Sequence, residues 1–497
     1  MHLVTILLFA SIIFLIILEA FVLLWKQRKR YFAAQKFDGP KALPIIGNGL
    51  LFMCHNDEIL MRMYNVIKDY PEVPMRFWLG PLLLIILPNP IHVEKIMPSN
   101  KFARKFDLLY RFPKVFLNEG LITGSGPIYK KHRRIIQPMF DLKFAKECTS
   151  FMHKHVDLCM QRLEPHVGKG NFDFFHAIHP CMADIIKETV LGSNERTQII
   201  GTSDFDQAML DAYDFTFTRM VKYWQQIDFL FNMSPLKKRQ DELKRIVTTK
   251  AKEMTDAAFE RRKSSSLTQE FYPIIDRMAD YTLEHPGVLD ETFIDHVLTL
   301  YTASEDTLTI ASSFLAMCIG MYPECQEKAA QEIRTIFGET PREVTTEDIP
   351  KLCYIDMCIK EVLRLFPIAP IILRQCTEDF ELDHWTIPKG CALVIPIFNL
   401  QRDPRYWEKP HEFYPEHFLP EAVAKRHVYT YIPFSAGPRG CIGKILANTG
   451  LKVFVCNLLQ HYEIECDGDV PSLRIRMDIS TRPIDGSYLR LKKRVWK

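Results

Sequence analysis

Ten residues near the C-terminus constrain this chain most: Phe434-Ser435-Ala436-Gly437-Pro438-Arg439-Gly440-Cys441-Ile442-Gly443. Three glycines surround one cysteine. Lacking a Cβ, they let the backbone come close to a flat ligand and turn amide N–H groups toward the sulfur. Such donors stabilise a thiolate and tune a metal bound to it. Arg439 is placed to meet an anionic group. Gly443 to Leu459 reads as a helix whose N-terminus lies beside the sulfur and favours negative charge there. The bland alternative is a glycine-rich turn around a buried cysteine.

The rest of the composition leaves room for a buried ligand. A chain of 497 residues, 47% hydrophobic and 25% charged, is globular and long enough to enclose a cofactor and a substrate in one core. A net charge of +3 gives no support for nucleic-acid binding. The 13 cysteines include no Cys-x-x-Cys pair and read as reduced, mostly buried thiols. No P-loop and no Gly-x-Gly-x-x-Gly fingerprint is present, so no nucleotide cofactor domain is expected within the chain.

Leu3 to Trp25 is almost wholly apolar, broken mainly by Thr5, Ser11 and Glu19. That length spans a hydrocarbon core of about 30 Å. A cleavable signal peptide is the competing reading, but it usually begins with cations. Here Lys26, Arg28, Lys29 and Arg30 follow the apolar run, which predicts a single N-terminal transmembrane helix with the body in the cytosol. Gly39 to Asn48 contains two prolines and reads as a stiff hinge. The expected layout is an anchor at 1–25, a basic cluster and proline-rich hinge at 26–48, and a catalytic domain at 49–497.

Beyond the hinge, helical patterns dominate at 56–69, 127–164, 239–262, 289–320 and 323–337. Strand-like runs are short: Met75 to Leu79, Leu82 to Leu87, and Ala392 to Ile397. Ser264-Ser265-Ser266 reads as a surface loop.

The cysteine loop fits F-x-x-G-x-R-x-C-x-G at every fixed position and resembles the haem-binding signature of the cytochrome P450 superfamily. The resemblance implies that Cys441 is the axial thiolate of haem b, in a loop shaped by Phe434 and Gly437, with Arg439 at a haem propionate. Upstream, Glu361-Val362-Leu363-Arg364, then Leu365-Phe366-Pro367 and Arg374, resembles the family's E-x-x-R helix and the strand after it; Arg374 inherits a propionate contact. Asp403 to Pro410 and Phe413 to Phe418 resemble the segment before the loop, except that His417 stands where the family commonly has an arginine completing a cluster with the E-x-x-R pair. Tyr129-Lys130-Lys131-His132-Arg133-Arg134 resembles W-x-x-x-R with tyrosine for tryptophan, making Tyr129 and Arg133 further propionate candidates on a face that docks an acidic electron donor in the family.

A fifth stretch, Ala303-Ser304-Glu305-Asp306-Thr307, interrupts an apolar helix and resembles [A/G]-G-x-[D/E]-T. Cleaving dioxygen takes two protons delivered into a dry pocket, and a carboxylate with a hydroxyl can relay them. Asp306 and Thr307 are the expected catalytic residues. Ser304 replaces the usual glycine and Leu308 a frequent second hydroxyl residue. Ala303 stands where some ω-hydroxylases carry a haem-esterifying glutamate, so no covalent haem link is expected.

The resemblance implies the cytochrome P450 fold, mainly α with a smaller β-rich lobe. It is nearest the microsomal branch that holds fatty-acid ω-hydroxylases and many insect members. The implied reaction inserts one oxygen atom of O₂ into a lipophilic substrate. Electrons come from NADPH through cytochrome P450 reductase, with cytochrome b5 a second donor, at the endoplasmic reticulum membrane. Two rivals stand beside it: a haem-thiolate isomerase or dehydratase that uses no O₂, and a haem-binding protein with little turnover. The pocket walls are expected from about 102–126, 205–231, 297–307 and 366–373, which are apolar and Phe-rich.

Overall fold

One helix sets the architecture because it is apolar nearly all round, and such a helix is stable only when buried on every side. In the computed structural model, which describes residues 28–43, 46–264 and 271–496, the main helices are α1 (Ile59–Ile67), α2 (Gly126–Ile136), α3 (Leu142–Leu163), α4 (Phe174–Thr189), α5 (Asp204–Val221), α6 (Pro235–Ser264), α7 (Ile274–Glu284), α8 (Phe293–Met321), α9 (Pro323–Phe337), α10 (Cys353–Leu365) and α11 (Lys444–His461). The all-round apolar helix is α8; it packs against α4, α6, α9, α10 and α11. The anchor expected at 1–25, part of the hinge, and Ser265 and Ser266 lie outside the described residues. Among the described residues no single helix is long and apolar enough to cross a membrane.

The strands are β1 (Met75–Leu79), β2 (Leu82–Ile86), β3 (Phe172–Asp173), β4 (Ile372–Gln375), β5 (Phe380–Leu382), β6 (Trp385–Ile387), β7 (Ala392–Ile395), β8 (Tyr462–Glu465), β9 (Ile475–Met477), β10 (Thr481–Pro483) and β11 (Tyr488–Lys493). The largest sheet has the order β1-β2-β7-β4, with β2 and β7 parallel and the other pairs antiparallel. Side chains alternate across it. Leu83, Ile85, Leu393 and Ile395 enter one apolar cluster; Phe77, Leu84, Ile86 and Val394 enter another. The architecture is mainly helical with a small β-rich portion, as expected.

Several element boundaries differ from the sequence reading by a few residues, Ser264 closing α6 rather than opening a loop, and two larger differences come from prolines. The single helix expected over 127–164 is two, because Pro138 has no N–H to continue the ladder. Gln137–Phe140 tightens into a 3-10 turn, and Asp141 restarts the helix by accepting the Phe144 amide at 2.7 Å. The strand expected to reach Ile397 ends at Ile395, before the donorless Pro396.

On α10, Glu361 and Arg364 are fully buried and paired through two bonds of 2.7 Å. Arg364 also donates to the carbonyls of Gln401 at 2.9 Å, Pro410 at 2.8 Å and Glu412 at 2.9 Å. His417 Nδ1 lies 3.1 Å from Glu361 Oε1, and the Tyr414 amide donates to the same oxygen at 2.9 Å. Histidine therefore takes the arginine's place in the cluster. Burial opposes ionisation of Glu361, but Arg364 and then His417 outweigh it and hold the carboxyl below its usual range.

Helices α2 and α8 are tied by a histidine pair. His296 Nε2 lies 3.0 Å from His132 Nδ1, and His132 Nε2 lies 3.2 Å from the Val288 carbonyl. Burial, with His132 adding, depresses His296 to about 3; burial also lowers His132, against Val288 and Asp295 and with Lys131. Below about pH 6.5 the unfolded chain therefore takes up protons that the folded chain refuses. Stability present above that pH should fall as pH drops toward 3, by at most about 1.4 kcal/mol per unit for each histidine. Urea midpoints measured between about pH 7 and 4 should fall less steeply in His296→Leu than in the parent.

Candidate functional site

The cysteine loop is shaped by local backbone demands. Ser435 and Gly437 both sit at positive φ, 60° and 66°. A Cβ on Gly437 would collide with the Met97 carbonyl, so glycine is required for conformation and for space. A 3-10 turn over Gly437–Arg439 follows, and the Cys441 amide donates back to the Phe434 carbonyl at 2.9 Å. Cys441 is accessible by surface area, yet burial pushes its thiol pKa up; the Gly443 amide, Arg133 and Lys444 pull it down. A sulfur lining an internal cleft meets both conditions. Helix α11 begins at Lys444, three residues beyond the cysteine.

The side chains expected around a flat anionic cofactor converge on this loop. Tyr129 donates its phenol to the Pro438 carbonyl at 2.7 Å, and Arg133 reaches the Gly440 carbonyl at 2.6 Å. Arg439 is buried, donates to Ala103 O at 2.6 Å and Leu121 O at 3.3 Å, binds Gly124 O and Ser125, and stacks 3.4 Å over the Tyr129 ring. Arg374 donates to the Leu373 carbonyl at 3.0 Å and to Ser435 Oγ at 3.3 Å.

Sequence spacing gave no sign of a further cation, Lys105, whose ammonium donates to the Tyr110 phenol at 3.0 Å. Burial drives Lys105 far below its usual range, and Arg374 and Arg439 push it further. Burial also lowers Arg374, and takes Arg439 to about 10. Among the described residues none of the three forms an ion pair with a carboxylate. Desolvated cations that repel one another need an anion. A cofactor carrying carboxylates at its edge and a metal at its centre, over the Cys441 sulfur, fits the donor set.

On α8, Ala303 is exposed and Ser304 and Thr307 are half-buried, so this face borders open space. The helix runs unbroken through Ser304, and Thr307 Oγ1 donates to the Ala303 carbonyl at 2.7 Å. Asp306 is buried elsewhere, bound by Arg482 at 2.6 Å and by Ser480 Oγ at 3.0 Å. Burial, with Glu305 adding, raises its pKa against Arg482. Arg482 and Ser480 come from the β9–β10 hairpin and were not legible as partners in the sequence.

Comparison with known proteins identifies the family. Residues 38–489 match the family model described as Cytochrome P450. Human "Cytochrome P450 4V2" is 30% identical over 467 residues, covering 91% of this chain and 89% of the relative. "Cytochrome P450 4d2" of Drosophila melanogaster is 30% identical over 498 residues, covering 97% and 99%. "Cytochrome P450 4c21" of Blattella germanica is 27% identical over 496 residues, covering 98% and 99%. Human and insect relatives of one numbered group match the branch indicated by the sequence resemblance. A glycine-framed thiol beside uncompensated cations, in a chain matched over nearly its whole length, makes this protein a member of the cytochrome P450 family and a monooxygenase of that family.

Proposed function

We propose that Cys441 supplies the thiolate to the haem iron and that the enzyme hydroxylates a lipophilic substrate at a membrane, using electrons from NADPH through the flavoprotein reductase. The observation that carries this reading is the Cys441 thiol, accessible yet desolvated, in the loop that Arg133, Tyr129 and Arg439 hold. The Gly443 amide and the start of α11 favour the thiolate. Gly437 keeps the backbone low, and Phe434 packs at the loop's start. Lys105, Arg374 and Arg439, with Tyr129 and Arg133, are the residues to hold the propionates. Bound there, haem supplies the iron chemistry that cleaves dioxygen, favoured by the electron push of its thiolate.

The protein's own part is to position, to keep water out and to deliver protons. Thr307 presents its hydroxyl on the open face of α8, and Asp306, next in the chain, supplies a carboxyl with a raised pKa. Lys130, Lys131 and Arg134 are exposed on α2, the same helix that holds the cysteine loop, and suit an acidic electron donor such as the reductase or cytochrome b5.

Membrane attachment rests on the apolar run at Leu3 to Trp25 and the cations after it. It is supported by large apolar side chains left exposed near the hinge, Phe32, Leu43, Leu50 and Met53, and at Trp224, Phe229 and Met233. The layout is an anchor at 1–25, a hinge at 26–48 and a catalytic domain beyond it, on the cytosolic side of the endoplasmic reticulum.

Three outcomes are expected. The reduced, carbon-monoxide-bound protein should show the red-shifted Soret band of a thiolate complex; Cys441→Ala should abolish it, while Cys318→Ala and Cys391→Ala keep it. Retention in Cys441→Ala would overturn the ligand assignment. Lys105→Met should speed haem transfer to apomyoglobin by about tenfold, because a desolvated charge–carboxylate contact is worth about 1.5–3 kcal/mol; an unchanged rate would remove Lys105 from the site. Protease added to intact microsomes should digest the body, and full protection would reverse the topology.

A further inference from the structure

Behind the open face of α8, the helix is charged. Glu305 and Asp306 are both buried, 1% and 3% exposed. Asp306 shares Arg482 with Asp478, which is also buried. Glu305 Oε1 lies 2.5 Å from Nε2 of His179 on α4. On the other side of Glu305, buried Asp206 of α5 holds Lys187 at 2.8 Å and the phenol of Tyr301. Asp306 and Asp478 thus share Arg482, Asp206 shares Lys187 with Glu195 at 3.3 Å, and among the described residues Glu305 faces only the His179 imidazole. A desolvated cluster of this kind makes up its deficit with protons, held jointly rather than by one group. Burial raises Asp306 and Asp478 against the pull of Arg482, and for His179 the charges of Glu305, Asp206 and Asp306 outweigh burial and raise it too; at Asp206 burial is outweighed by Lys187, which lowers it.

His179 is also the cluster's opening to water. It lines a cavity of about 530 Å³ whose rim carries exposed His176, Asp214 and Arg239, with Asp211 beside them. The groups facing its ring are therefore Glu305 and Asp306 from α8, Asp206 and the rim carboxylates from α5, Arg239 from α6, and Phe175 and His176 from its own helix, Phe175 stacking at 5.9 Å. His179 Nε2 and Glu305 Oε1 are close but off the hydrogen-bond axis, and neither atom has another hydrogen-bond partner among the described residues. A scaffold pair in a protein interior is normally satisfied; an unsatisfied buried pair at the edge of water is the pattern of a working group.

We propose that His179 and Glu305 are the proton intake of the oxygen-activating helix: His179 takes protons from cavity water and passes them to Glu305, which recharges the carboxyl cluster that includes Asp306, next to Thr307. Each passage moves one proton and no electrons. Water protonates the ring at Nδ1, the proton on Nε2 leaves for Glu305 Oε1, and a turn of the ring restores the first tautomer. Monooxygenation consumes two protons with the two electrons brought by the redox partner, so each turnover draws twice on this intake. The inference rests on the family's monooxygenase reaction but not on the identity of the substrate or of the donor.

Hydrogen–deuterium exchange of the buried carboxyl tests it without turnover. The purified full-length holoenzyme at pH 7 should show an infrared carboxylic-acid band that shifts when H₂O is replaced by D₂O, and Asp306→Asn should weaken that band. His179→Phe should slow the shift by about tenfold or more, the low end of what a positioned proton carrier contributes. In His179→Gly, imidazole added to the buffer should enter through the cavity and restore the rate. His179→Gln, of similar size and polar, serves where the larger changes unfold the chain; it cannot relay protons and should also slow the shift. Absence of a carboxylic-acid band at pH 7, or an exchange rate unchanged in folded His179→Gln, would overturn the proposal. With reductase, NADPH and O₂, folded His179→Gln should also show a larger solvent isotope effect on NADPH oxidation than the parent. Loss of the Soret band in Cys441→Ala bears only on the ligand, and the exchange rates bear only on the intake.

Discussion

The guanidinium of Arg439 is the junction on which the site depends. It is a buried cation that donates to the carbonyls of Ala103, Leu121 and Gly124, while its face lies on the Tyr129 ring. Such a charge costs several kcal/mol to desolvate unless it is hydrogen-bonded, and here its bonds reach both ends of the segment 103–125. The cysteine loop is thereby fixed to the segment 103–125 and to α2. That segment is clasped from its other side by α8: Asn118 donates to Asp295 at 2.9 Å, and a Cβ on Gly120 would collide with Thr299. Planar geometry and five donors make arginine suited to this junction; a lysine would offer three donors at one point and no face to stack.

Helix α8 then divides two environments. Its apolar length is buried among α4, α6, α9, α10 and α11, which supplies the packing that positions it. The turn from Ala303 to Thr307 departs from that pattern, with small or hydroxyl side chains on the open face and carboxyls behind. Ser304 does not break the helix, and the Thr307 hydroxyl rests on the Ala303 carbonyl one turn back. Asp306 is bound by the β9–β10 hairpin and Glu305 lies against His179 of α4, so the polarity is a property of the packed whole rather than of the helix.

What could be seen in the sequence follows from locality. The glycine-framed cysteine and the Glu361–Arg364 pair are each complete within a few residues, where spacing alone fixes geometry. The departure at His417 was visible as a change of residue type, but its consequence was not. That the imidazole lies 3.1 Å from Glu361 depends on how the chain after α10 returns. Lys105, Arg482 and His179 carried no local signal at all, since each matters through partners brought in from distant segments. The helix break at 137–141 was legible in principle: Pro138 ends one ladder and Asp141 caps the next, a pairing outweighed by the continuous apolar period.

Two desolvated charge groups of opposite sign result, and neither balances the other. Among the described residues Lys105, Arg374 and Arg439 have no carboxylate partner, while Asp306 and Asp478 share one guanidinium, Arg482, and Glu305 faces only the His179 imidazole. Were stability the only demand, pairing the two sets or replacing both with apolar residues would serve better, because buried charges seldom repay their desolvation. Each imbalance instead defines what its side of the site must take in. The cations require an anion of fixed shape, which a dicarboxylate cofactor meets and bulk water does not. The carboxylates require protons, small enough to pass through packed side chains and renewable from solvent. One fold thus sets a place for an organic anion on one side of the reaction space and for exchangeable protons on the other, as a monooxygenase needs.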